Sequence, residues 1–142
     1  MASEFRMDRR VEFAETDMAG ILHFSNFFRY MEEVEHAFFR SLGLRVHTSS
    51  ANGTTGWARG KAECRFKEPL RYDEIVELHL FVRDKREKTI SYEIVFKRKS
   101  NGAEVARGQM TVVCIADLSS GGRLAASPMP REVDAAIDVA TT

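Results

Sequence analysis

From about Ser25 to Leu42, apolar residues recur every three or four positions: Phe27, Met31, Val34, Phe38 and Leu42. That spacing places them on one face of a long helix. Arg29, Glu32, Glu33 and Arg40 fall mostly elsewhere. Ser25 or Asn26 is expected to cap its start, and Gly43 is a natural left-handed stop. Around this helix the period changes to two. Phe5, Met7, Arg9, Val11 and Phe13 alternate with charged residues, so a strand precedes it.

Four more strands are expected after it. Ala62, Cys64 and Phe66 mark the first, which Pro69 ends. Val76 to Val82 and Ile90 to Phe96 mark the next two. Asn101-Gly102 is a hairpin signal, and Ala103 to Ala116 return from it. Residues 45–56, rich in Ser, Thr, Asn and Gly, read as a mobile loop or lid. Residues 119–127 read as loop, and Pro130 to Val139 as a short terminal helix. The expected fold is α+β: a five-stranded antiparallel sheet wrapped around one long central helix. Its open sheet edges predict a homodimer, or a homotetramer built from it.

The 142 residues suit one domain, 1–142, and 44% hydrophobic residues can fill a core. Twenty-one basic against 21 acidic residues argue against a nucleic-acid partner. No apolar run approaches the ~18 residues of a membrane span. Met1 to Arg10 has no signal-peptide core, so the expected location is cytoplasmic. Cys64 and Cys114 sit in alternating stretches and read as small buried thiols, with a disulfide as the lesser alternative. His23, His36, His47 and His79 are scattered, so no metal site is expected.

The informative segment is Glu15 to Asn26. It puts a carboxylate, a glycine, a histidine and a helix start within ten residues. A helix start offers unpaired N–H groups and partial positive charge, which hold a developing oxyanion. Asp17 there can attack a carbonyl or deprotonate a water that does. Gly20 lets backbone approach a ligand. Read from the residues alone, Asp17 is either a catalyst or a turn and cap residue.

The run from Arg10-Val11-Glu12-Phe13 through Asp17-Met18-Ala19-Gly20-Ile21-Leu22-His23-Phe24-Ser25-Asn26-Phe27, into Tyr30, Met31 and Glu32, resembles the 4-hydroxybenzoyl-CoA thioesterase family. The strand order and the turn Glu68-Pro69-Leu70-Arg71-Tyr72-Asp73 also match. The resemblance implies the hotdog fold and hydrolysis of an acyl-CoA thioester. It implies Asp17 as nucleophile or general base and the Phe24 N–H as oxyanion donor. His23 would orient water or substrate. Glu32 matches an acidic helix residue of some relatives, or simply pairs with an Arg. Relatives acting on aromatic acyl groups often carry aromatic residues at positions 23 and 24 and Pro after the loop Asp. Here the residues are His23, Phe24 and Met18, which leaves the acyl preference open.

The turn Arg83 to Lys88 holds four basic and two acidic residues. Arg86 and Lys88 are expected to meet coenzyme A's phosphates, against the plainer reading of a solvated turn. No cofactor is expected, since coenzyme A is part of the substrate. Two other readings stand beside hydrolysis. One is a hotdog dehydratase or hydratase using His23 with Asp17 or Glu32. The other is a non-catalytic acyl-CoA binding module.

Overall fold

The computed structural model describes residues 1–50, 53–117 and 124–141. In chain order the elements are β1 (Glu4–Arg10), α1 (Phe24–Ser41), β2 (Thr48–Ser50), β3 (Gly53–Phe66), β4 (Ile75–Lys85), β5 (Thr89–Arg98), β6 (Glu104–Asp117), β7 (Ala125–Ala126) and α2 (Arg131–Ala136). A 3-10 turn, Phe13–Glu15, follows β1. The strands join in one antiparallel sheet ordered β1-β4-β5-β6-β3-β2, with β7 on the end of β6.

The sheet therefore has seven strands where five were expected. The extra two come from segments read as loops. Thr48–Ser50 pairs with Gly53–Thr55 as a hairpin, and β3 runs on from there for 14 residues. Small polar residues hid it, because backbone pairing needs no apolar alternation when the strand lies at an edge. β7 is likewise two alanines. The first strand ends at Arg10, three residues early, and Phe13 is exposed.

Helix α1 buries Phe27, Tyr30, Met31, Val34, Phe38 and Phe39. It touches β1, β3 and β4, and Phe27 meets Phe96 of β5 at 5.4 Å. β1 and β3 lie four strand spacings apart, about 19 Å on a flat sheet. A helix about 10 Å across reaches both only if the sheet curls around it. Gly108 of β6 leaves room for the Met31 side chain. A Cβ there would stand 2.6 Å from Met31 Sδ. Trp57 packs on Phe39 at 6.0 Å, as a core residue does. Both cysteines are free; burial raises both thiols, Cys64 to about 12. Among the described residues no helix is long and apolar enough to cross a membrane.

Candidate active site

Residues 15–23 form a tight hairpin between β1 and α1. Its neck is closed by the His23 N–H donating to the Glu15 carbonyl at 2.9 Å. Thr16 then faces Leu22, and the Asp17 N–H donates to the Ile21 carbonyl at 2.8 Å. Gly20 turns the tip with φ of 78°; a Cβ there would meet nothing within 4 Å. The glycine thus serves backbone conformation and leaves its surface open.

Asp17 Oδ1 accepts from the Ala19 N–H at 2.9 Å and, more weakly, from the Ile21 N–H at 3.4 Å. Among the described residues Oδ2 has no hydrogen-bond donor. One oxygen holds the carboxylate's orientation, and the other is available to react.

The helix cap differs from the expected Ser25 or Asn26. His23 is the cap: its Nδ1 accepts from the Ser25 N–H at 3.2 Å and lies 2.8 Å from Ser25 Oγ. Accepting at Nδ1 places the ring proton on Nε2 when the imidazole is neutral. Asn26 instead reaches back, Nδ2 donating to the Glu15 carbonyl at 2.8 Å. Its N–H bonds the His23 carbonyl. The Phe24 N–H, at the first helical position, finds no acceptor among the described residues. The Phe24 ring is 61% exposed and stacks on His23 at 4.7 Å.

Behind the hairpin lies a charged cluster that the sequence reading missed. Arg9 donates to both oxygens of Glu15, at 3.1 and 2.7 Å, and to Glu33 at 2.7 Å. Its guanidinium sits 4.4 Å over the Tyr30 ring, and the Tyr30 hydroxyl donates to Glu15 Oε1 at 2.6 Å. These bonds lower the Glu15 pKa against its desolvation, while burial and Glu15 raise Tyr30. The signal was available: Arg9 occupies an inward phase of β1, beside Phe5 and Met7.

A second missed group is on α1. Glu35 is 1% exposed and pairs with Arg59 of β3 at 2.6 Å. Burial pushes its carboxyl up to about 7, with Arg59 offsetting part of the effect. Glu32 is exposed and 3.4 Å from the same guanidinium, as the plainer reading anticipated. A cleft of about 240 Å³ opens between α1 and β3, lined by Phe28, Met31, Glu32, Arg59, Ala62 and Met110. It begins one helical turn from Phe24. A larger cavity near His36 and Arg40 lies at the other end of α1, away from Asp17. No group of three His, Cys, Asp or Glu side chains among the described residues could hold a metal ion.

One protomer does not bring Arg86 and Lys88 to Asp17. The hairpin sits at the Arg10 and Ile75 end of the sheet, where the Leu22 N–H bonds the Leu70 carbonyl. The turn after β4 is at the opposite end, about 33 Å away along ten strand residues. Arg86 is exposed and pairs with Asp84 at 2.9 Å; Lys88 is exposed. Lys85 is bound by Asp134, and Arg83 by Glu93.

A family model described as the thioesterase-like superfamily matches residues 11–137. A protein of Aquifex aeolicus (strain VF5), provisionally named as an esterase, is 41% identical over 90 residues, 63% of this chain and 70% of its own. The 4-hydroxybenzoyl-CoA thioesterase of Pseudomonas sp. (strain CBS-3) is 25% identical over 107 residues, 74% of this chain and 76% of its own. The structure of a 1,4-dihydroxy-2-naphthoyl-CoA thioesterase from Synechocystis superposes with a TM-score of 0.81 at 21% identity. That match covers 94% of each chain and shows a shared fold.

Proposed function

The chain belongs to the thioesterase-like superfamily, and we propose that it hydrolyses an acyl-CoA thioester to the free acid and coenzyme A. One observation carries the reading. Among the described residues, Asp17 presents a carboxylate oxygen with no hydrogen-bond donor and Phe24 a helix N–H with no acceptor, one within a closed hairpin and one just past its neck. The thioester carbonyl would accept from the Phe24 N–H, where the helix start also favours the developing oxyanion. Asp17 would attack the carbonyl carbon directly or take a proton from an attacking water. Collapse of the tetrahedral species would expel the thiolate; on the direct route this leaves a mixed anhydride on Asp17, which water then cleaves to the free acid and the regenerated carboxylate. Thiolate is a good leaving group, so the step calls on no further cofactor. Gly20 leaves room beside the carboxylate.

The acyl group would enter the cleft between α1 and β3, which starts one helical turn from Phe24 and is lined by Phe28, Met31 and Met110 together with Arg29, Glu32 and Arg59. Glu32 lies eight residues along the helix, about 12 Å from Phe24, so it would face the distal end of the acyl group. The named thioesterases among its relatives act on aryl-CoA substrates, which makes aryl-CoAs the first class to assay.

A dimer fits this site. Residues 56–66 of β3 pair with β6 on one side and carry no strand on the other among the described residues. Phe66 is half exposed there. Antiparallel pairing of that edge across a two-fold axis would set each Asp17 end beside the other copy's far end. Arg86 and Lys88 of a second protomer would then approach coenzyme A's phosphates. The dehydratase alternative asks His23 to exchange protons, which its Nδ1, held at the Ser25 N–H, would leave to Nε2.

The deciding experiment is a free-thiol assay over short, long and aryl acyl-CoAs. Thiol release from at least one class is expected. Conversion to an unsaturated, intact thioester would indicate a dehydratase, and binding without turnover a carrier module.

A further inference from the structure

Two catalytic groups on a surface hairpin must keep their spacing, and loops do not do so unaided. Glu15 is placed to hold both. It is two residues from Asp17, and its carbonyl accepts from the His23 N–H and from Asn26 Nδ2. Those two residues flank Phe24 and its neighbours at the helix start. The Glu15 side chain meanwhile takes four hydrogen bonds. Two come from Arg9 of β1, one from the Tyr30 hydroxyl of α1, one from the Glu12 N–H. The Glu15 backbone N–H in turn donates to the Glu12 carbonyl at 3.0 Å, closing the 3-10 turn.

Arg9 is itself fixed from the far side by Glu33 and from below by the Tyr30 ring. Sheet, helix and hairpin therefore meet at one carboxylate. Its side chain is 18% exposed, so the pairs are shielded more than surface pairs are.

We propose that Glu15, gripped by Arg9 and Tyr30, is a positioning residue that sets the distance between the Asp17 carboxylate and the Phe24 N–H. This rests on the hydrolase reading above. It makes Glu15 an indirect contributor: it touches no substrate and acts through the hairpin neck.

The test is steady-state thiol release by wild type, Tyr30→Phe, Glu15→Gln and the double variant, with folded fraction measured for each. Tyr30→Phe keeps the ring under Arg9 and removes one bond to Glu15. Glu15→Gln keeps the shape and removes the charge. We expect kcat to fall about tenfold or more in each, with KM within about twofold, because misplacement harms the transition state more than binding. The double variant should lose less than the product of the two single losses, since both act through one carboxylate. Glu33→Gln, which touches only the outer side of Arg9, should lose least. If both single variants are folded and keep wild-type kcat, or if kcat falls only in proportion to folded fraction, the positioning role is wrong. Absence of thiol release by the wild-type protein would instead overturn the hydrolase reading, which separates the two failures.

Discussion

Glu35 on α1 and Arg59 on β3 form an ion pair at 2.6 Å with the carboxylate almost fully enclosed. The pair crosses the helix–sheet interface, where hydrophobic contacts do the rest of the packing. Burial raises the Glu35 carboxyl from its ordinary value to about 7. The folded state therefore binds this proton more tightly than the unfolded chain. That contribution to stability is complete below about pH 4.5 and is lost as pH rises through 7. His36, whose pKa burial lowers, acts in the opposite direction, gaining stability as pH rises. Urea midpoints from pH 5 to pH 8 should fall more steeply for wild type than for Glu35→Gln. Parallel curves would show that Glu35 titrates as it does in water.

Gly108 of β6 and Met31 of α1 pack closely across the helix–sheet interface. A methyl at Gly108 would overlap Met31 Sδ at 2.6 Å and Cε at 2.8 Å. Met31 is enclosed, so its thioether has little room to move. Gly108→Ala should cost about 1–3 kcal/mol. Adding Met31→Ala should recover part of the loss attributable to overlap. Denaturant unfolding of the three variants measures both numbers, and additive losses would place the cost elsewhere.

His23 caps α1 through its Nδ1 and the Ser25 N–H. His23→Ala should lower stability by about 1 kcal/mol, and His23→Ser should restore most of it. If catalysis needs His23 only as a cap, His23→Ser also keeps turnover. A folded His23→Ser without activity would give the ring a chemical role.

The open edge of β3 predicts self-association. Sedimentation equilibrium at assay concentrations should give a dimer or a higher multiple of it. A strictly monomeric, fully active protein would remove the interface from the account of the site, and with it the role given to Arg86 and Lys88.

The helix was legible because Phe27, Met31, Val34 and Phe38 repeat at its own period, and burial follows that stripe. The strands from Val76 to Ala116 were legible for the same reason. The β2–β3 hairpin was not, since Thr, Ser and Gly form it through backbone pairing that leaves no side-chain pattern. The cap, His23, lies two residues before Ser25 and three before Asn26: Ser and Asn are the usual caps, and a histidine ring nitrogen takes that role here. At the site, the order along the chain put Asp17 and Gly20 just ahead of a helix start, and the Phe24 position came from the family resemblance. Arg9, Glu15 and Tyr30 could not be joined, because their contact depends on β1 and α1 folding over the hairpin. Arg86 and Lys88 lie at the far end of the sheet from Asp17 within one protomer; charge alone gives no position along a strand.

The central claim is that Asp17 does the chemistry. Its most direct test is the turnover number of Asp17→Asn, compared with wild type on the best acyl-CoA from the thiol-release screen. The variant keeps the side chain's size and an oxygen able to accept the Ala19 N–H, so the hairpin should stay closed. A fall in kcat of about a hundredfold or more, with an unchanged circular dichroism spectrum, is the predicted result. Turnover within severalfold of wild type in a folded Asp17→Asn protein would contradict it.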